Sequence, residues 1–342
     1  MSGTTISQDG VDVAVVGATG AVGREMLDIL EERAFPVRTL RVMASPRSAG
    51  KKLAFDGHQL EVEALTDASF EGVDIGLFSA GSSVSLEHAP RAVDQGAVVI
   101  DNTSAFRMDE DVPLVVPEVN AEEIRTGPGI IANPNCSTIQ MVVALEPLRR
   151  AVGLERVVVS TYQSASGAGQ KGVDELMASV RAYLEGGEEP EPNKFAHPLA
   201  FEALPHIDTF FDSGFTREEL KMVRETRKIM DLQELDIAAT CVRVPVIRSH
   251  SEAITVDLAA PLSVDKARRL FESAPGVRLL DDPEANAYPR ARLAEKTDAT
   301  WVGRIRRDLD REATLHFWCV SDNLRKGAAL NSIQIAEYLV EK

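Results

Sequence analysis

VDVAVVGATGAVGREMLDILEERAFPVRTLRVMAS (residues 11–45) reads as a strand, a turn, a helix and a second strand in one continuous run. Residues 11–17 are almost unbroken apolar and β-branched, as in a strand buried on both faces. From 18 to 33 the apolar positions recur at helical spacing, and 37–45 returns to a strand pattern. The first junction carries Gly17, Thr19, Gly20, Ala21, Val22 and Gly23, a GxxGxxG rather than a GxGxxG spacing. Small residues there let a phosphate approach backbone amides at a helix N-terminus. A tight turn that needs glycine only for its dihedrals would use the same letters. The strand before and the helix after favour a dinucleotide site at those six residues.

The end of the second strand bears on which dinucleotide. An NAD site usually places a carboxylate there for the ribose 2′-hydroxyl, whereas this chain has Ser45-Pro46-Arg47-Ser48. An arginine among hydroxyls suits a 2′-phosphate, so Ser45, Arg47 and Ser48 predict NADP; a solvated loop arginine is the plainer alternative.

Outward from this unit, residues 73–81 and 97–104 read as strands separated by a helix, and PLVVPEVN (113–120) and GIIANPN (129–135) are further strand candidates. Alternating strands and helices predict a parallel, doubly wound, Rossmann-like sheet over about residues 10–133. After that the pattern changes. Residues 156–166, 235–260 and 300–320 are long, alternating and β-branched, which suits a mixed or antiparallel sheet in an α+β catalytic and dimerisation domain. Residues 185–201, acidic and rich in Pro and Gly, read as a surface loop, and 324–340 as an amphipathic helix packing back on the first domain. The expected α/β organisation is therefore 1–134 with 322–342 for cofactor binding, and 135–321 for catalysis. The second face of the long strands needs a cover, and a symmetric partner sheet is the economical one, which predicts association of identical subunits as a dimer or a tetramer.

Composition bounds the function. A formal charge of −16 opposes general nucleic-acid or anionic-membrane binding. No leader-like N-terminus or long uncharged apolar run is evident, and Cys136, Cys241 and Cys319 have neither disulfide nor zinc spacing, so a cytoplasmic, metal-free protein is expected.

Cys136 follows Asn133-Pro134-Asn135, where a short strand stops and a helical period starts. A cysteine in the first turn of a helix faces the positive end of the dipole, which favours thiolate. A small core cysteine is the alternative; the strand-to-helix mouth, where open α/β sheets bind ligands, favours a nucleophile. In TCVRVPVIRSHS (240–251), Arg243 can clamp a carboxylate and His250 can exchange protons, with Pro245 breaking the strand so that the two approach. Each taken singly is more often structural. Cys241 and Cys319 are expected as inert strand residues, and His58, His88, His197, His206 and His316 receive no role.

NPNCST around Cys136, TYQSASGAG (161–169), CVRVPVIRSHSE around Arg243 and His250, and the opening GATGAVG together resemble the aspartate-β-semialdehyde dehydrogenase family, from about residue 11 to the C-terminal helix. The resemblance implies Cys136 as nucleophile, Gln163 orienting the reacting carbonyl, Arg243 holding the substrate α-carboxylate and His250 as acid/base. It implies Glu218 at the substrate amino group, with Glu219 as the neighbouring alternative. Lys221, Arg107 and Asn135 match phosphate contacts, and Ser166, Gly167 and Asn323 join the cofactor contacts. The implied reaction is reduction of L-4-aspartyl phosphate by NADPH through a cysteine thioester. N-acetyl-glutamyl-phosphate reductase, malonyl-coenzyme A reductase and a non-catalytic NADP-binding homologue are the competing readings.

Overall fold

The computed structural model describes residues 10–66 and 69–341. They form two compact units, one of residues up to Asn135 together with those from Ala328, the other Cys136–Gly327.

In the first unit six parallel strands lie in the order Glu63–Ala64, Val37–Ala44, Val11–Val16, Ile75–Phe78, Val98–Asp101, Gly129–Ala132. Alternate side chains of the first strand enter two different cores. Val11, Val13 and Val15 pack with Met26, Ile29 and Leu30 of the helix Ala21–Glu32 and with Ile333 and Leu339 of the terminal helix Leu330–Glu341. Ala14 and Val16 pack with Ala89 and Ala92 of the helix Ser82–Asp94. Coverage on both faces explains why the strand is apolar at nearly every position. The chain moves one way from Val11–Val16 and then restarts on its other side at Ile75–Phe78, so the order reverses between these two strands, where open α/β sheets bind ligands.

PLVVPEVN is not a strand. Leu114 makes one isolated bridge to Ala132, and Pro117 then opens a short helix, Pro117–Asn120. Proline at the first helical position has the right φ and needs no donor there, which overrides the apolar pattern. Sequence periodicity also passes over the ribbon Lys52–Phe55 with His58–Glu61. Its turn, Asp56-Gly57, has φ of +46° and +72°, the paired positive angles of a two-residue hairpin.

The second unit is built on a mixed sheet in the order Asp236–Arg243, Leu154–Gln163, His250–Leu258, Thr314–Ser321, Thr300–Arg307, Val277–Leu279. The outer pairs are parallel and the inner ones antiparallel. The runs 235–260 and 300–320 each divide into two strands, the first around Pro245, which cannot donate to a ladder. One face of the sheet lies against the helices Cys136–Val152, Arg217–Met230 and Val264–Ser273. The other shows Tyr162 and Trp318, their rings 5.3 Å apart.

Residues 322–327, expected with the terminal helix, belong to the second unit. The buried Asp322 carboxylate ties them there by accepting from Arg248 Nε (2.7 Å), Lys296 N (2.6 Å) and Leu324 N (3.0 Å). A π-helical turn, Arg325–Ala329, precedes the terminal α-helix. Among the described residues, no helix is long and apolar enough to cross a membrane.

Candidate active site

Strand alternation selects which side chains meet in the second unit. Thr161 and Gln163, Cys241 and Arg243, and His250 and Glu252 all occupy inward positions on three adjacent strands, with intervening residues pointing away. Beyond Gln163 the chain turns through Ala165–Ala168, held to the loop after Arg243 by Ala165 N to Val246 O (2.7 Å) and Ser166 N to Ile247 O (3.0 Å). That turn brings Gly167 against both expected partners. A Cβ on Gly167 would stand 2.7 Å from Arg243 Nη1 and 3.0 Å from His250 Cε1, so any larger residue there would displace the guanidinium. The structure thus joins Arg243 and His250 across the Pro245 break.

Arg243 is buried, donates from Nη1 to Ser164 O at 2.6 Å, and has its guanidinium 5.8 Å from the Phe195 ring centre. Burial lowers its pKa, opposed chiefly by the negative charge of Glu218. Cys136 is the first residue of the helix Cys136–Val152 and is partly exposed. Gly327 of the π-helical turn touches it: a Cβ there would lie 2.8 Å from Cys136 Cβ. By contrast, burial pushes the thiols of Cys241 and Cys319 strongly upward, which keeps both protonated.

His250 is fully buried, and its Nδ1 accepts from Ser164 N at 3.0 Å. Burial, reinforced by the Arg243 charge, holds its pKa well below the ordinary value of 6.5. The ring is therefore neutral at pH 7. A depressed folded pKa means that the unfolded chain takes up the proton first as pH falls, so the stability contributed by this group is present above about pH 6.5 and is lost below it. Chemical denaturation from about pH 7 to about pH 5 should show a steeper loss of unfolding free energy in the parent than in His250→Asn.

The two adjacent glutamates have different tasks. Thr216 and Glu219 form a capping box at the start of the helix Arg217–Met230, with Glu219 Oε2 accepting from Thr216 N (2.7 Å). Glu219 Oε1 also accepts from Cys241 N (3.2 Å), so both its oxygens are engaged in structure. Glu218 instead accepts from Gln163 Nε2 (3.1 Å) and Lys221 Nζ (3.2 Å). Lys221 Nζ is also 2.9 Å from Asp208 Oδ2, a loop residue that no motif or periodicity singles out. Glu219→Ala should lower stability by about 2–4 kcal/mol, from the lost cap and the stranded Cys241 amide. Glu218→Gln should leave the melting temperature near that of the parent and raise the substrate KM; the opposite pattern would exchange the two roles.

The remaining expected residues lie in two places. Ser166 and Asn323 join Gly167 in the second unit, with Ser166 Oγ 3.1 Å from Asn323 Oδ1. Arg107 and Asn135 belong to the first unit and are buried; Arg107 Nη2 donates to Asn102 O at 2.9 Å.

The glycine turn fits a dinucleotide phosphate. Gly17 has φ +89°, and a Cβ there would be 2.9 Å from Ala80 N, so the loops after the two switch-point strands are in backbone contact. Gly23 packs against Gly17 O, where a Cβ would approach to 2.3 Å. The helices starting after Gly20 and Gly81 both lack a side-chain cap, which leaves first-turn amides for an anion. The second of these N-termini, Ser79–Ser82, has only a faint signal in the sequence, a Gly-Ser pair between an apolar strand and a helical period. Arg47 and Ser45 are exposed at the end of the strand Val37–Ala44, while Ser48 is buried beneath them.

Residues 12–127 match the family model described as semialdehyde dehydrogenase, NAD binding domain, and residues 145–326 match semialdehyde dehydrogenase, dimerisation domain. The aspartate-semialdehyde dehydrogenase of Aquifex aeolicus is 54% identical over 336 residues, covering 97% of this chain and 99% of the relative. The crystal structure of aspartate semialdehyde dehydrogenase II of Vibrio cholerae complexed with ASA has a TM-score of 0.94 at 46% identity, covering 97% of this chain and 99% of that one. The Candida albicans enzyme, solved with NADP, has a TM-score of 0.75 at 25% identity, covering 96% and 98%. By these matches over nearly its whole length, the chain belongs to the aspartate-semialdehyde dehydrogenase family.

Proposed function

We propose that the chain catalyses the NADPH-dependent reductive dephosphorylation of L-4-aspartyl phosphate to L-aspartate 4-semialdehyde and phosphate, on the route to lysine, threonine, methionine and isoleucine. The observation that carries this reading is one inward-facing cluster in the second unit. It combines a helix-start cysteine, a buried arginine, a buried neutral histidine and a glutamate–lysine pair.

A thiolate converts the acyl phosphate to a thioester tethered to the protein, which separates phosphate departure from hydride transfer and holds the carbonyl for reduction. Cys136 attacks the acyl carbon while the phosphate bond breaks. Its charge is favoured by the helix start and by the nearby Arg243 cation. Gln163 orients the carbonyl, and Arg243 holds the α-carboxylate as a planar fork. Lys221, Arg107 and Asn135 are assigned to the phosphate, whose departure a cation assists. A bound nicotinamide supplies the hydride for the thioester carbonyl. His250 presents Nε2 to the reacting atoms: its N–H lends its proton to the carbonyl oxygen as hydride adds and recovers it as the C–S bond breaks, the aldehyde leaves and Cys136 departs as thiolate.

Glu218 favours the aspartyl substrate over its N-acetyl-glutamyl counterpart. Its carboxylate already pairs with one ammonium, that of Lys221, and suits the charged amino group of aspartate, whereas an acetylated nitrogen carries no charge. The direct assay supplies the protein with phosphate, NADP and L-aspartate semialdehyde and follows NADPH formation. Turnover is expected there and not with the acetylated glutamyl semialdehyde; preference for the latter would transfer the function to the other reductase.

The cofactor proposed is NADP, held at Gly17, Thr19, Gly20, Ala21, Val22 and Gly23, with Ser45, Arg47 and Ser48 at the 2′-phosphate and Ser166, Gly167 and Asn323 as further contacts. Arg47→Ala should raise KM for NADP about tenfold or more and leave KM for NAD nearly unchanged, as expected for loss of one charge-assisted phosphate contact. Equal loss with both cofactors would remove Arg47 from 2′-phosphate selection. The proposed assembly is a homodimer across the open sheet face that carries Tyr162 and Trp318, the kind of exposed aromatic surface that subunit contacts use.

A further inference from the structure

Asn323 follows the strand Thr314–Ser321 and is buried, and its side-chain carbonyl gathers three donors. Oδ1 accepts from Ser249 N at 2.9 Å, from Ser166 Oγ at 3.1 Å and from Ser164 Oγ at 3.2 Å. Two of these serines bracket His250. Ser249 precedes it in the chain and holds φ at +75°, a left-handed conformation that serine adopts only when something fixes it. Ser164 meets the ring itself: its N–H donates to His250 Nδ1 at 3.0 Å, and its hydroxyl stands 3.1 Å from the same nitrogen.

A ring nitrogen that accepts a backbone N–H carries no proton, so the neutral imidazole has its proton on Nε2. Among the described residues Nε2 has no hydrogen-bond partner, and it stands where a Cβ on Gly167 would be 3.1 Å away, beside Arg243. One carbonyl oxygen therefore anchors both the backbone behind the imidazole and the residue that selects its tautomer.

We propose that Asn323 is a positioning residue for His250: through Ser249 and Ser164 its carbonyl holds the imidazole as the Nε2–H tautomer, with that N–H directed at the reacting atoms. This task belongs to Oδ1, whereas the cofactor contact proposed above falls to the amide nitrogen. The catalytic consequence rests on His250 being the acid/base; the tautomer does not.

The test uses full-length protein labelled with ¹⁵N-histidine and two-bond ¹H–¹⁵N correlation spectra at mildly alkaline pH, where the ring is neutral. The parent should show His250 protonated at Nε2 alone. Asn323→Asp keeps an oxygen for all three donors and should retain that tautomer, while Asn323→Ala should populate both. In turnover assays Asn323→Ala should lose about tenfold or more in kcat, with a shifted pH profile that Asn323→Asp largely restores. Affinity for NADPH should fall alike in both variants, since both lack the amide nitrogen.

Protonation at Nδ1 in the parent overturns the proposal without recourse to any variant. So does a His250 spectrum in Asn323→Ala indistinguishable from the parent. An enzyme inactive on aspartate semialdehyde, yet with the expected spectra, would contradict the proposed function and leave the positioning role standing.

Discussion

Cys136→Ser is expected to lose more than about a hundredfold in turnover, with the protein still folded and still binding NADPH. Serine is close in size, and Cys136 is partly exposed at its helix start, so packing loses little. The chemistry loses much more. An ordinary hydroxyl is scarcely ionised at neutral pH, whereas a helix N-terminus and a nearby guanidinium both favour the ionised form of a thiol. An acyl-serine would also accept hydride less readily than a thioester, and an alkoxide leaves less readily than a thiolate. Steady-state assays in the phosphate-dependent direction, with circular dichroism as the folding control, decide it. Turnover within a few-fold of the parent would end the covalent mechanism.

His250→Asn is expected to lower kcat by about two to four orders of magnitude. Asparagine can still occupy the space beneath Gly167 and accept from Ser164 N, so the geometry that holds Arg243 survives. What disappears is a group that can pass a proton to or from the reacting oxygen. A pH profile separates this from distortion: the parent limb assigned to His250 should vanish in the variant, with KM for the semialdehyde changing much less than kcat. A variant with the parent's rate and profile would remove His250 from proton transfer.

Much of this architecture is legible because its signals are local. Residues 11–45 carry their own strand, glycine turn, helix and strand, and the structure reproduces each as Val11–Val16, Ala21–Glu32 and Val37–Ala44. Cys136 after Asn133-Pro134-Asn135 is legible for the same reason, since proline ends a strand and the apolar period then restarts. PLVVPEVN misleads because a strand and a buried helical turn share an apolar composition, and proline at a first helical position decides between them. The helices Gln170–Glu185 and Val264–Ser273 are less legible, being polar over most of their surfaces and interleaved with strand-like runs.

The candidate site divides the same way. Arg243 and His250 were legible as residue types at a strand break, but nothing linear shows that Gly167 is the floor on which they meet. The choice between Glu218 and Glu219 needed geometry, because the capping box consumes one of two identical neighbours. Asp208 on Lys221 and Gly327 against Cys136 are contacts between segments distant in sequence, and no periodicity encodes them.

The central claim, that Cys136 carries the acyl group during turnover, is tested most directly by mass spectrometry. The enzyme is incubated with L-aspartate semialdehyde and NADP without phosphate, then quenched in acid. A mass increase equal to one aspartyl acyl group, confined to the peptide containing Cys136, is the predicted result. An unmodified Cys136 peptide from enzyme that has formed a stoichiometric burst of NADPH would contradict it.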